Sequence, residues 1–409
     1  MHAFLNRRRL LALVSASAAI LAAGLAASAS AGNGHSGFRP GGASITSQPW
    51  GTAPGGQPVS LYTLTSGRGM TVTITNYGGI VQSIDVPDRN GQAANVALGF
   101  SSLAGYVADD TTTTASGETY FGAIIGRYAN RIANGEFTLN GTTYTLPQNN
   151  GTNTLHGGPD SWNMQVWAAT PISGRHSVSL QLTYTDPAGT NGFPGTVTAK
   201  VVYTLTQDDA LQIDYTATTT APTVINLTNH TYFNLAGEAS GDVYNQELMI
   251  NADSYTPINA NLIPTGVIAP VAGTPFDFRT PKPIGQDINN ADPSMVYAHG
   301  YDQNWVLNRS GPGLSLAATA YDPVSGRVLT TYTTEPGVQL YSGNFLVGDL
   351  VGTSGHTYRQ SDGFTLETQH YPDSPNEPSF PSTVLNPGTP FNSTTIYQFS
   401  TADQFPTGP

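Results

Sequence analysis

The chain has 409 residues, no cysteine, and a net charge of −12 although only 10% of its residues are charged. The absence of cysteine excludes a disulfide framework and lipid attachment through an N-terminal cysteine. With only 15 Lys plus Arg, no basic patch can neutralise a phosphate backbone or an anionic membrane, so the composition suits a neutral polar small molecule as partner and not a nucleic acid.

In chain order, Arg7 to Arg9 precede an Ala-rich apolar run from about Leu10 to Leu25, and the small residues Ala26-Ala-Ser-Ala-Ser-Ala31 follow. This order predicts a secretory signal peptide over 1–31, cut after Ala29 or Ala31, and an exported protein, extracellular or periplasmic. The paired arginines also fit a twin-arginine export signal. The apolar run is short for a membrane span, which needs roughly 20 apolar residues. Residues 32–57 are rich in Gly, Ser and Pro without periodicity. They read as a flexible linker, disordered to about Thr46.

From 58 to 404 the pattern changes to that of one all-β domain. Short runs alternate apolar and polar residues: Val59–Leu64, Met70–Thr75, Gly79–Val86, Ser177–Tyr184, Thr196–Leu205 and Leu211–Ala217. This is the signature of half-buried strands. Turn pairs separate such runs at Asn90-Gly91, Asn140-Gly141, Gln207-Asp-Asp209 and Ser325-Gly326, and Asn140-Gly141 predicts a hairpin joining Glu136–Leu139 to Thr142–Leu146. No amphipathic helix of twelve residues is visible; a short helical turn is predicted near Ser101–Tyr106. A large antiparallel β-sandwich is the simplest architecture.

Five stretches carry candidate chemistry. In Asn226-Leu-Thr-Asn-His-Thr-Tyr-Phe-Asn-Leu235, alternation puts Val224, Asn226, Thr228 and His230 on one strand face. Such a polar face cannot enter an apolar core without partners, so it is expected to line a polar pocket. His156 precedes Gly157 and Gly158, which permit a tight turn and a close approach of backbone to ligand. Glu367 sits in Phe364-Thr-Leu-Glu-Thr-Gln-His with no cation nearby in sequence; buried in a pocket, its pKa would rise towards that of a general base. Asp302 lies among aromatics in Gly300-Tyr-Asp-Gln-Asn-Trp-Val306, as a sugar-gripping residue or as a solvated turn aspartate. In Gly126-Arg-Tyr-Ala-Asn-Arg-Ile132, Asn130 and Arg131 offer donors to hydroxyls, while Arg127 is equally readable as a structural ion-pair partner. His370 reads as loop support, and His2, His35, His176, His299 and His356 as solvated. There is no His-x-x-x-His and no cysteine ligand, so no metal is expected.

Six ordered motifs, the four stretches around Asn130, His156, His230 and Glu367 together with Gly300-Tyr-Asp302 and Thr334-Glu-Pro-Gly-Val-Gln-Leu-Tyr-Ser-Gly-Asn344, are similar to those of the aldose 1-epimerase (galactose mutarotase) family. The resemblance runs from about Val59 to Ser400. It implies a large single-domain twisted antiparallel β-sandwich with its site in an open cleft. It implies that Glu367 is the general base and His230 the general acid, and that Asn130, Arg131, His156, Asp302 and Gln339 bind sugar hydroxyls or the ring. Two departures stand out: Gln303 where the family often has histidine, and Ser161-Trp162 where it commonly has Gly-Phe. Both are expected to affect sugar preference rather than catalysis.

The implied reaction needs no cofactor. A base takes the anomeric proton of an aldose while an acid protonates the ring oxygen; the open aldehyde rotates and closes on its other face. If Glu367 and His230 form this pair, the pH profile should be a bell with its acidic limb set by Glu367 and its basic limb by His230. Three rivals remain: a glycoside hydrolase, which would use two flanking carboxylates; a non-catalytic sugar-binding protein; and a sugar-phosphate mutarotase, disfavoured by the shortage of cations. Oligomeric state is not legible.

Overall fold

Alternation turns directly into sheet. In the strand Val197–Thr206, Val197, Ala199, Val201, Tyr203 and Leu205 are all buried in the main core. Its neighbours Ser177–Asp186 and Ala210–Thr219 pair with it antiparallel, placing Tyr203 opposite Leu180 on one side and Ile213 on the other. The computed structural model describes residues 42–111 and 114–406; the segment read as a signal peptide lies outside these residues.

These three strands belong to a nine-stranded sheet. Phe391–Thr401, near the chain end, runs between Ala210–Thr219 and Arg327–Thr333. A six-stranded sheet contains, side by side, Phe364–Gln369, Gly337–Tyr341 and Asp302–Leu307. The two sheets share one core. Leu180, Val201 and Tyr397 from the first, and Trp305, Val338, Leu340, Phe364 and Leu366 from the second, are buried in a single apolar cluster. The Tyr397 hydroxyl ties them by donating to the Leu366 carbonyl at 2.9 Å. Because side chains alternate across a strand, sending Leu340 and Leu366 into the core sends Gln339, Tyr341, Thr365 and Glu367 to the opposite face. The cross-strand register then sets Asn304 opposite Gln339, and Gln339 opposite Glu367. That row is the floor on which the site is built.

The predicted strands and the Asn140-Gly141 hairpin are present. Two boundaries are corrected. Ser44–Thr52, assigned above to the 32–57 linker, is a strand paired with Pro58–Thr65 in a five-stranded sheet. Its side chains are mostly exposed, so backbone bonds hold it at an edge and no apolar alternation marks it. The turn expected at Ser101–Tyr106 is the start of a nine-residue helix, Leu103–Thr111, with Leu103, Tyr106 and Asp109 on its buried side. A second helix, Pro293–Ala298, is capped by Asp292, which accepts from the Ser294 N–H.

Candidate active site

The residues singled out by sequence converge on one cleft of ≈ 270 Å³, lined among others by Asn130, Arg131, His156, His230, Asp302 and Glu367. Glu367 comes from the floor strand Phe364–Gln369. His230 comes from the extended segment that crosses it, and its Nε2 lies 3.5 Å from Glu367 Oε1. Both are almost fully enclosed, at 4% and 2% exposure, and burial dominates their chemistry. It pushes the Glu367 carboxyl up to about 8, helped by the nearby Asp302 charge. It pulls His230 down to about 3. Thr365 donates to Glu367 Oε1 at 2.9 Å, while Oε2 has no protein partner.

His156 is held by reciprocity with the arginine motif. Its backbone N–H donates to the Asn130 carbonyl, and the Asn130 N–H donates to its Nδ1, both at 3.1 Å. Accepting at Nδ1 places the ring proton of neutral His156 on Nε2. Burial and the charges of His230 and Arg131 keep the ring neutral. The edge-on contact with the His230 ring, centroids 5.0 Å apart, sets the two imidazoles at nearly right angles. Asn130 and His156 both adopt left-handed backbone, φ 63° and 51°, a conformation that non-glycine residues take mainly in specialised turns. Gly157 has a different use from the one expected. A Cβ there would lie 2.4 Å from the Gly126 carbonyl, so it admits neighbouring backbone, not ligand.

Arg131 donates from Nε to Asn150 Oδ1 at 3.1 Å, and its Nη1 is 3.5 Å from Asp302 Oδ2. Asp302 is thus a buried site residue and not a solvated turn. Gln339 donates to Asp302 Oδ1 at 2.8 Å but does not line the cleft. Through that bond it orients Asp302. Arg127, four residues before Arg131, faces away. It is 1% exposed, paired with Asp186 at 2.8 Å, and donates to the carbonyls of Pro194 and Gly195; its role is structural.

The polar face expected through Asn226, Thr228 and His230 is broken. Asn226 lies in an isolated bridge, Thr228 in a two-residue strand and His230 in the unpaired link after it, and of the three only His230 reaches the cleft. Asn226 donates to the Ala129 and His370 carbonyls and accepts the His370 N–H, so its polarity is spent on joining three segments. His370 supports that loop as expected, with Nδ1 2.6 Å from Glu335 Oε2. His176, His299 and His356 are exposed, and His2 and His35 lie outside the described residues.

Both family departures face away from the cleft. Gln303 accepts the Asp302 N–H at 2.9 Å and donates to the Ser294 carbonyl. Trp162 packs on Gly126, where a Cβ would meet its ring at 2.2 Å, and donates to Asp186 at 3.0 Å. Neither lines the cleft, which corrects the expected direct effect on sugar preference. Sequence reading missed the cleft wall Ser116–Tyr120 and the aromatic Tyr341. The wall has neither periodicity nor a motif to announce it; Tyr341 could have been found from its place two residues after Gln339 on the same strand face.

His156, His230 and Glu367 each present one ligand atom, and the three lie within 4.8 Å of one another. They could hold a cation as well as move a proton, and the two uses are separable by experiment.

Comparison with known proteins adds identity to this geometry. The family model described as aldose 1-epimerase matches residues 60–398. The galactose mutarotase of Rattus norvegicus is 42% identical over 343 residues, spanning 84% of this chain and 94% of that one. The aldose 1-epimerase of Escherichia coli K12 is 40% identical over 329 residues, covering 80% and 91%. Among solved structures, galactose 1-epimerase from Lactobacillus acidophilus superposes with a TM-score of 0.76 at 28% identity, over 88% of this chain and 99% of that one. The chain belongs to the aldose 1-epimerase family.

Proposed function

We propose that this protein interconverts the α and β anomers of free aldoses such as glucose and galactose. One observation carries the reading: a buried carboxylate and a buried imidazole, 3.5 Å apart, face a single cleft that also holds Arg131 and Asp302. The cleft lies near the small end of the roughly 300–1,000 Å³ range of ligand pockets, the size for a monosaccharide.

Arg131, Asp302, Asn130 and the Nε2–H of His156 fix the ring through its hydroxyls. Glu367 takes the anomeric proton and His230 delivers one to the ring oxygen; closure on the other face reverses both transfers. The resting proton distribution corrects the expected pH assignment. Burial leaves the single proton of the pair on Glu367 and keeps His230 neutral. The productive carboxylate–imidazolium form has the same proton count, so it is reached by transfer within the pair once the sugar hydroxyl and ring oxygen engage it. The two limbs of the bell therefore belong to the pair. The alkaline limb, near 8, is loss of the proton held on Glu367, and the acid limb is gain of a second proton at His230.

Polarimetry of freshly dissolved α-D-glucose and α-D-galactose tests the activity. Release of an aryl alcohol from an aryl glycoside would favour a hydrolase, and sugar binding without accelerated mutarotation would favour a binding protein. Prior dialysis against a chelator should leave the rate unchanged; a lost rate restored by a divalent cation would make the His156–His230–Glu367 cluster a metal site. The export reading is supported by the Arg-rich, apolar, Ala-Ser-Ala order at the start. N-terminal sequencing of secreted protein should begin near Ser30 or Gly32, and a start at Met1 would contradict it.

A further inference from the structure

The cleft wall Ser116–Tyr120 brings in a carboxylate that the proton-transfer pair does not use. Glu118 lines the cleft, and Asn163 Nδ2 donates to its Oε1 at 2.8 Å. The same amide nitrogen donates to Asp110 Oδ1 at 2.9 Å, so Glu118 and Asp110 are joined across one donor. The other oxygen of Asp110 accepts from the Tyr77 hydroxyl at 2.6 Å. Asp109 accepts from the Thr119 N–H and hydroxyl through Oδ2, while its buried Oδ1 has no protein partner.

Every partner of these three carboxyls is neutral. Among the described residues, none of them forms a salt bridge. Burial pushes all three up, Asp109 to about 6, Glu118 to about 7 and Asp110 to about 8; repulsion from Asp109 adds to the rise of Glu118 and Asp110, and repulsion from Asp349 to that of Asp109. Asp109 is buried while Asp110 and Glu118 are half-buried, and carboxyls withdrawn from water without a cation are costly. The opposite side of the cleft offers no counterweight. Among the described residues Arg131 is the one Lys or Arg in the lining, and Asn150 and Asp302 already engage it. Both histidines there are neutral. With Glu367 holding its proton, the cleft thus sets Glu118 and Asp302 against a single engaged guanidinium.

We propose that the cleft selects its aldose by charge, Glu118 being the residue that favours a sugar bearing an ammonium group over one bearing a carboxylate or phosphate, with neutral sugars between them. The proposal rests on the mutarotase reading above and deepens it. An ammonium brought beside Glu118 draws off its proton and forms a charge-assisted hydrogen bond. An anionic sugar gains no such bond and meets the charge of Asp302 in the cleft and of Asp109 behind the wall.

The test is polarimetric kcat/KM at pH 7 for D-glucosamine, D-glucose and D-glucuronate, each corrected for its spontaneous rate. Glucosamine should exceed glucuronate by roughly two orders of magnitude, and Glu118→Gln should shrink that ratio by roughly tenfold. Glu118→Asp, which keeps the charge, should keep most of the preference. In the unaltered protein, raising salt should compress the ratio, since ions screen the field; this arm needs no variant to fold. Glucuronate turned over as readily as glucosamine would overturn the proposal. So would an unchanged ratio in folded Glu118→Gln that still anomerises glucose, or a salt-independent ratio. If glucose itself is not anomerised, the failure lies with the mutarotase reading instead.

Discussion

The nine-stranded and six-stranded sheets pack on one core yet treat their outer faces differently. In the first, Val197–Thr206 alternates strictly between buried and accessible positions. In the second, Phe364–Gln369 and Gly337–Tyr341 are buried at every position. The apolar half of that second sheet is ordinary core. Its other half is a polar row, Asn304, Gln339 and Glu367, shut away from bulk water, and protein atoms without partners gather there: both amide atoms of Asn304 and Gln369, Gln339 Oε1 and Glu367 Oε2. The first sheet is built for stability. The second gives some stability up to hold ionisable groups out of solvent, where their pKa values can be useful.

The comparison breaks most sharply by mutation at Glu367 and His230. Glu367→Gln and His230→Asn should each lower kcat by roughly two to four orders of magnitude, with unfolding midpoints no lower than the parent's. The double variant should lose far less than the product of the two, because residues acting as a unit are not additive. Near-normal mutarotation by either folded single variant would remove the pair from the mechanism.

On the other sheet the sign reverses. Leu180→Ala, at a fully buried position, should cost about 2–5 kcal/mol of stability while kcat per folded molecule stays unchanged. Arg127→Ala should behave alike and cost about 3–5 kcal/mol, because it strands buried Asp186 without its cation. Denaturant unfolding and active-site-normalised rates separate the cases. A selective loss of kcat in folded Arg127→Ala would make it a site residue after all.

That contrast explains what could be read in advance. Val197–Thr206 was legible because one of its faces meets solvent, so burial writes itself as period two. The Asn140-Gly141 hairpin was legible because its turn demands those residues, with Asn140 and Gly141 both at positive φ. Ser44–Thr52 was missed because most of its side chains are exposed and only Ile45 and Trp50 pack inward, too few to write an alternation. Within the site, His230 stood out in a polar run that could not enter an apolar core without partners, and Glu367 as a carboxylate with no cation nearby in sequence. Arg127 and Arg131 are the same residue type in one motif, and only the fold separates the clamped one from the one lining the cleft. The wall carrying Glu118 is irregular chain, and nothing local says that it meets the cleft.

Substrate binding should show an intermediate effect. Arg131→Ala and Asp302→Ala each remove one partner of the 3.5 Å pair in the cleft, and each should raise KM for glucose and galactose by roughly ten- to a hundredfold, with smaller losses in kcat from poorer orientation. Gln339→Ala, acting only through its bond to Asp302, should move KM in the same direction by less. An unchanged KM in both the Arg131 and Asp302 variants would sink their assignment to sugar binding.

The smallest effect is the most diagnostic, because the two sheets predict different dependences on pH. Glu367 is raised from 4.5 to about 8 on folding. Its contribution is fully favourable below the unfolded value and is lost as pH rises towards the folded one, since the unfolded chain can release the proton and the folded one cannot. His230 is lowered from 6.5 to about 3, so its contribution is present above 6.5 and is lost as pH falls towards 3. Glu367→Gln cannot titrate and should therefore gain stability on the parent between pH 5 and pH 8, on the order of 1–3 kcal/mol across that window. His230→Asn should show the opposite slope, gaining on the parent as pH falls from 7 towards 4. Leu180→Ala, whose cross-strand neighbour Tyr203 is pushed up by burial and stays protonated over this range, should run parallel to the parent throughout. Urea unfolding at several pH values measures all three. Parallel curves for Glu367→Gln and the parent would mean that its carboxyl is not held protonated by burial, and the pair would then have to reach its active form by another route than proton transfer from Glu367 to His230.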